Sequence, residues 1–319
     1  MTQAQTNPYP HSDSNKRYQT YEFFLRKTYG EKVAKLSLDG GFICPNIDGR
    51  CGRGGCIYCS GRGSGDFAGL PSMTIAAQIA AQKKAVSAKW QVQKYIAYFQ
   101  AHTNTYAPLP VLRESFEEAL GQDGIVGLNI ATRADCLPPD VLEYLAALAE
   151  RTDLTLELGL QSSDDRTAKR INRGHDFACF CDAVKRIRAA SDRIRICVHL
   201  IFGLPGESEE TMMQTVRDTA KLHPDQVKLH LLHVLRGTVL ADWYEQDLYQ
   251  PLERETYIRL LADALELLPP DAVIGRLTGD GKRSDLLAPL WSLKKTTVVN
   301  DLDKLLYARG SWQGKRYGA

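Results

Sequence analysis

Four cysteines fall within sixteen residues of this chain, at Cys44, Cys51, Cys56 and Cys59. Thiolates are soft ligands, and a tight group of them in a chain large enough to need no disulfide framework points to a metal or cluster site. Cys56 and Cys59, two residues apart, form a hook that can clamp neighbouring metal atoms. A third thiolate comes from Cys44 or from Cys51. Glycines crowd the same stretch and let the backbone turn tightly around a bulky cofactor. Four thiolates also permit a structural zinc site. Such sites usually pair two short Cys-x2-Cys hooks, however, and here one hook stands beside two isolated cysteines. The remaining cysteines, Cys136, Cys179, Cys181 and Cys197, are scattered and are expected in the core.

Such a loop needs a frame. Short apolar runs predict strands at Val33–Leu38, Lys94–Gln100, Ile125–Thr132, Leu154–Leu160, Ile194–Ile201 and Gln226–Leu232. Helical spacing fills the gaps at Met73–Trp90, Pro108–Leu120, Pro139–Ala149, Phe177–Ala190 and Glu209–Leu222, and again from Tyr257 to Leu268. Six alternating units predict the α/β class, as a partial (β/α)6 TIM-like barrel with N- and C-terminal extensions. Chemistry in such barrels collects at the carboxyl ends of the strands, and the cysteine loop follows the first strand there. The expected division is a tail and lead-in over residues 1–32, a barrel over 33–268 and an extension over 269–319. Met1–Lys16 is polar and reads as a disordered tail. The extension holds a possible strand at Val273–Leu277 and a helix at Val298–Arg309.

Three cysteines ending in Cys56-Ile57-Tyr58-Cys59 resemble the radical S-adenosylmethionine superfamily. The phrases Asp39-Gly40-Gly41-Phe42-Ile43-Cys44-Pro45-Asn46 and Gly52-Arg53-Gly54-Gly55-Cys56 are similar to those of the bacterial YhcC/YtqA-type family, in which the spacing is Cys-x11-Cys-x2-Cys. The elongator catalytic subunit is a broader relative. The resemblance runs from about Tyr18 to the C-terminus. It implies that Cys44, Cys56 and Cys59 ligate a [4Fe–4S] cluster and that Cys51 does not. Three thiolates leave one iron open to S-adenosylmethionine, whose reductive cleavage releases a 5′-deoxyadenosyl radical. An electron donor such as flavodoxin or ferredoxin is implied as a partner.

The same resemblance implies cofactor contacts. Glu157-Leu158-Gly159-Leu160-Gln161-Ser162 is similar to the superfamily's Gly-x-Gln-Ser segment, which makes Glu157 and Gln161 candidates. A carboxylate inside an apolar strand is in any case costly to bury without a partner. Arg173 follows Gln161 by twelve residues, the interval at which the oxygen-independent coproporphyrinogen oxidase relatives place an arginine on the cofactor carboxylate. A guanidinium fork suits that task. His199-Leu200-Ile201-Phe202-Gly203-Leu204-Pro205-Gly206-Glu207 resembles the nucleoside-contacting segment, with His199 and Gly203 as candidates; a satisfied core histidine is the rival reading of His199. Gln100 is the candidate contact where many members carry Gly-Gly-Glu.

Residues expected near a substrate are Arg133 and Asp135 after the third strand, and Lys228, His230 and His233 on the sixth, where odd spacing puts the two histidines on opposite faces. The stretch Arg276–Arg316 has nine basic and four acidic residues, with Trp291, Tyr307 and Trp312 among them. Basic residues interleaved with aromatics can grip RNA. With the elongator resemblance this implies tRNA as a partner and wobble-base modification as the expected activity. The alternatives are a radical enzyme acting on a small metabolite or protein side chain, and a zinc-stabilised RNA-binding module without catalysis. A net charge of +2 excludes binding of polyanions by bulk charge alone. No apolar run reaches membrane-spanning length, so no membrane contact and a cytoplasmic location are expected.

Overall fold

The computed structural model describes residues 7–279 and 281–318. Its first half runs α1 (Tyr21–Tyr29), β1 (Val33–Leu38), α2 (Ile75–Ser87), β2 (Lys94–Phe99), α3 (Leu109–Leu120), β3 (Ile125–Thr132), α4 (Pro139–Ala149) and β4 (Asp153–Gln161). Next come α5 (Asp165–Arg170), α6 (Phe177–Ala190), β5 (Ile194–Phe202), α7 (Glu209–Lys221), β6 (Gln226–Leu231) and β7 (Val234–Leu235). The chain ends with α8 (Val239–Glu245), α9 (Arg254–Leu267), β8 (Val273–Arg276), β9 (Leu286–Ala288) and α10 (Lys295–Ala308). Polar caps start several helices: Thr74, Asp176 and Ser208 each accept a backbone N–H of the first turn.

The strands form one open, curled parallel sheet in the order β1-β2-β3-β4-β5-β6-β8. The six expected strands are all present. A seventh, Val273–Arg276, joins them from the expected extension by pairing parallel to β6 (Gln226↔Val273) after the α9 crossover. The helices α1, α5 and α8 carry six to nine residues each, too few for periodicity to reveal. A small antiparallel pair, β7 with β9, sits beside the barrel.

Strand alternation divides the sheet into two faces. Leu36, Leu38, Phe99, Leu128, Ile130, Leu156, Leu158, Val198 and Leu200 pack outward against the helices and are fully buried. The intervening positions, among them Lys35, Tyr98, Asn129, Glu157, His199 and Lys228, turn inward and meet one another. The barrel therefore has an apolar coat and a polar lumen.

The expected disordered tail needs correction. Residues 1–6 lie outside the described residues, but Tyr9 is 2% exposed and its hydroxyl donates to the Pro270 carbonyl at 2.6 Å. Lys16 pairs with Asp303. The Ile274 N–H donates to the Gln19 carbonyl at 2.8 Å. The buried Gln313 amide donates to the Pro269 and Ala272 carbonyls and accepts from the Gln19 N–H. Both ends of the chain are thus stitched over the edge strand β8, which would otherwise offer unpaired backbone.

Candidate active site

The cysteine loop spans the gap between β1 and α2 and folds back on the turn after α5. Cys44 and Cys51 start and close one turn: Ile47 N–H donates to Cys44 O at 2.8 Å and Cys51 N–H to Pro45 O at 2.9 Å. Asn46 aims its amide at Cys56 Sγ (3.7 Å) and at the Asn172 carbonyl. Asn172 in turn donates to the Arg53 and Gly55 carbonyls at 3.1 and 2.7 Å. Gly54 and Gly55 have φ of 79° and 76°, the left-handed region that glycine enters at no steric cost. A Cβ at Gly52 would lie 2.2 Å from Asn46 Oδ1, so glycine is needed there for space rather than for its backbone angle.

Cys56 is buried, while Cys44 and Cys59 are half-buried and line a cavity of about 250 Å³. A hydrogen bond from Cys59 pulls the Cys56 thiol down to about 5, against the opposing effect of burial and with help from the guanidinium groups of Arg173 and Arg133. Thiolate character beside cations is what a metal–sulfur group needs. Arg133 also approaches Cys44 Sγ at 4.0 Å and donates to the Arg173 carbonyl at 2.8 Å. Cys51 is different. It is exposed, its thiol lies 3.4 Å from Asp135 Oδ2, and partial burial together with that carboxylate pushes it up. Burial opposes ionisation of Asp135, but two bonds from Arg133, each 2.8 Å, hold its carboxyl at about 2. Three thiols, Cys44, Cys56 and Cys59, could therefore hold a cluster, and the fourth is set apart.

Among the buried polar atoms near these thiols that lack a partner are Asn46 Oδ1, Arg173 Nε and Gln161 Oε1. Gln161 sits at a bulge between β4 and β5 with φ of 72°. A Cβ at Gly159 would lie 2.6 Å from Gln161 Nε2 and 3.0 Å from Arg173 Nη2, so the glycine admits both side chains. The same cavity is lined by Gln100, whose amide donates to the Ser64 carbonyl at 2.8 Å and ties β2 to the cysteine loop.

Glu157 and His199 also line this cavity, but their polar atoms are engaged within the chain. Glu157 Oε1 accepts from Lys35 Nζ at 3.1 Å and Asn129 Nδ2 at 2.7 Å. Its Oε2 accepts from His199 Nε2 at 2.9 Å and from Lys228. Burial opposes its ionisation, yet the ammonium groups of Lys228 and Lys35 hold it well below the usual carboxylate range. Burial, reinforced by Lys228, pushes His199 down to about 4, so it is a neutral donor to Glu157. His199 is thus hydrogen-bonded within the chain, and both oxygens of Glu157, a residue expected to face the cofactor, are engaged by groups of the chain itself. Glu157, Cys197 and His199 each bring one ligand atom within 4.8 Å of the others. Two ammonium groups already occupy that carboxylate, and burial pushes the Cys197 thiol up to about 12, so the trio does not suit a cation.

Gly203 does not line the cavity. Its carbonyl accepts from Tyr249 at 2.8 Å, and Leu252 lies 3.1 Å from where its Cβ would be. His230 and His233, expected on opposite faces, both line the cavity, because β6 ends at Leu231 and His233 lies beyond the pleat. Cys179 and Cys181 are half-buried rather than core, whereas Cys136 and Cys197 are buried.

Lys228 was expected inside the barrel, and alternation could have found the other interior partners, Lys35 and Asn129. Glu207, on the loop after β5, had no such signal. It accepts from Ser162 and joins the ends of β4 and β5. Burial raises its carboxyl to about 7, against hydrogen bonds from Ser162 and Thr167. A carboxyl whose folded value is raised contributes stability at low pH and loses it as pH climbs through about 7. Glu207→Gln is therefore expected to gain on the parent chain between about pH 5 and pH 8.5, by on the order of 1–2 kcal/mol after discounting for partial solvent exposure. Denaturation midpoints at the two pH values check it, and a constant gap would remove the assignment.

Comparison with known proteins identifies the family. The Radical SAM superfamily model matches residues 46–219, and the Radical_SAM C-terminal domain matches 224–308. YtqA of Bacillus subtilis is 48% identical over 98% of this chain and 96% of its own length. YhcC of Escherichia coli is 39% identical over 92% of this chain and 93% of its own. A tRNA uridine(34) acetyltransferase of Dehalococcoides mccartyi is 31% identical, over 53% of this chain and 38% of that protein. In fold, Elp3 of Methanocaldococcus infernus, with its N-terminus deleted, superposes with a TM-score of 0.65 at 19% identity, covering 88% of this chain and 64% of that one. The chain accordingly belongs to the radical SAM superfamily of enzymes, in the group that includes YtqA and YhcC.

Proposed function

We propose that Cys44, Cys56 and Cys59 hold a [4Fe–4S] cluster and that Arg173 and Gln161, with Gln100 at the rim, seat S-adenosylmethionine beside it. The observation that carries this is that Arg173 and Gln161, whose Nε and Oε1 are buried without a partner, line the cavity that Cys44 and Cys59 also line. Such atoms are costly to bury unless a ligand completes them. A guanidinium matches the cofactor's carboxylate, and the amide oxygen matches its ammonium or hydroxyl groups. When bound, these groups supply hydrogen abstraction from an unactivated carbon, with an electron from a donor such as flavodoxin or ferredoxin. The chain's own residues orient and shield. Arg133 links the cysteine loop to Asp135 and to the Arg173 backbone, and the Glu157 knot keeps the lumen rigid and polar.

Arg173→Gln is expected to retain iron after anaerobic reconstitution while its affinity for S-adenosylmethionine falls by about tenfold or more. Calorimetry on the reconstituted chain measures this. Unchanged affinity would exclude Arg173.

Two substrate classes fit such a site. The likeness to the tRNA uridine(34) acetyltransferase supports tRNA, over half of this chain. The basic C-terminal stretch adds little, because acids take up much of its charge. Arg309 pairs with Asp263, Arg316 with Glu266, Lys304 with Asp301 and Lys282 with Asp285. The charged lumen favours a small molecule that enters the barrel. On that reading, the nucleoside profile of tRNA from a strain lacking this chain is unchanged; a missing modified nucleoside selects tRNA instead.

A further inference from the structure

Asn46 stands just beyond Cys44 in the loop and is fully buried. Its amide nitrogen lies 3.7 Å from Cys56 Sγ and also donates to the Asn172 carbonyl. That carbonyl decides which end of the amide faces the sulfur, because the reversed amide would set its oxygen against two acceptors. The loop holds the side chain from several directions. Gly55 N–H donates to the Asn46 carbonyl at 2.9 Å. The amide oxygen lies against Gly52 and Gly174, where a Cβ would come within 2.2 and 3.1 Å of it. Asn172 ties the same loop down by donating to the Arg53 and Gly55 carbonyls. The donor is thus fixed by its own surroundings rather than by the sulfur it approaches. Its oxygen is buried without a partner, a penalty that an apolar side chain of the same shape would avoid. The amide is therefore kept for its nitrogen. Cys44 and Cys59 line the cavity, whereas neither Cys56 nor Asn46 does, so this contact is separate from the proposed seat of S-adenosylmethionine. Hydrogen bonds to the sulfurs are among the levers that set the potential of an iron–sulfur cluster, because an N–H aimed at sulfur favours the more negative charge state.

We infer that Asn46 is a positioning residue for electron uptake: its amide N–H, held on Cys56 Sγ, stabilises the charge gained with the electron and makes the cluster easier to reduce. This rests on the proposed function in taking Cys56 as a cluster ligand. One electron passes from the donor protein, flavodoxin or ferredoxin, which is oxidised, to the cluster, which is reduced. No proton or group moves with it.

The test is a redox titration of the full chain, reconstituted anaerobically, followed by electron paramagnetic resonance. Asn46→Leu keeps the volume and removes the N–H. At any fixed potential its ratio of reduced to oxidised cluster is expected to fall by about threefold to tenfold, which is a midpoint about 30–60 mV lower for one electron. Asn172→Gly controls for a loosened loop. Glycine accepts the φ of 54° and keeps the carbonyl that orients Asn46, but it loses the side-chain bonds to Arg53 and Gly55. This control should lose stability and hold the parent's midpoint. Calorimetry on Asn46→Leu should find the affinity for S-adenosylmethionine unchanged. An unshifted or raised midpoint in Asn46→Leu, an equal drop in Asn172→Gly, or a parallel loss of S-adenosylmethionine affinity would each overturn the inference. Should Asn46→Leu take up no iron, the parent chain still decides. With an isotopic nitrogen label in its asparagine side-chain amides, pulsed resonance of the reduced cluster should detect a coupled nitrogen, and its absence would remove the contact. Iron content separates the two readings. A parent chain without iron removes the proposed cluster, whereas iron with an unshifted midpoint removes only the part given to Asn46.

Discussion

Alanine at Cys44, Cys56 or Cys59 is expected to leave the full chain without iron after anaerobic reconstitution, whereas alanine at Cys51 keeps about four irons per chain. The contrast follows from what surrounds each sulfur. Cys56 and Cys59 share a hydrogen bond, and the cations of Arg173 and Arg133 favour the charged form of Cys56. Cys44 faces the same cavity and the same Arg133 guanidinium. A ligand must shed its proton, and the cations beside Cys56 favour that, while the shared hydrogen bond and burial push the Cys59 thiol up, so that its proton leaves only when a metal takes its place. Cys51 sits by the Asp135 carboxylate, which disfavours a thiolate. Iron and sulfide assays on the four single variants decide it. Iron lost in Cys51→Ala but kept in Cys44→Ala would exchange their roles, and iron kept in all four would remove the cluster from this loop. Zinc in place of iron, held by all four sulfurs, would instead return the chain to a structural-site reading.

Strands were legible because each is a short, dense apolar run between polar breaks. The predicted and observed limits of Ile125–Thr132 coincide, and those of Lys94–Phe99 differ by one residue. The seventh strand was legible as a strand but not as a member of the barrel. Its partner, β6, is reached only after α8 and α9, and a four-residue run cannot say where it docks. The packed N-terminus was hidden for a related reason. Tyr9 is one aromatic in a polar stretch, and its burial depends on a contact 261 positions away. In the site, the cysteines and Arg173 could be read from local spacing. Glu157 was singled out correctly as an anomaly in an apolar strand, but its partners lie on four other strands. Only the fold shows that they meet and make Glu157 an anchor of the lumen.

That anchor makes Glu157 the most consequential acid in the barrel. Its side chain has no exposed surface, and that of Lys228 has 6%. Replacing Glu157 with Gln leaves the ammonium groups of Lys228 and Lys35 buried around a neutral amide. Breaking a buried ion pair from one side costs about 3–5 kcal/mol, and that loss is expected in urea denaturation of Glu157→Gln. Lys228→Met should cost less, because Lys35, Asn129 and His199 still serve the carboxylate. In the double variant one charge of each sign is gone, and the damage should fall short of the sum by about 1–3 kcal/mol. Additive losses would mean that the two groups are stabilised independently. The sign of the pH response gives a second check. A carboxyl held below its ordinary range contributes stability above that range and loses it as pH falls toward its folded value. The parent chain should therefore lose part of its advantage over Glu157→Gln on acidification. An advantage that grew on acidification would show that the carboxyl is protonated in the folded barrel, and the knot would then be held by hydrogen bonds rather than by charge.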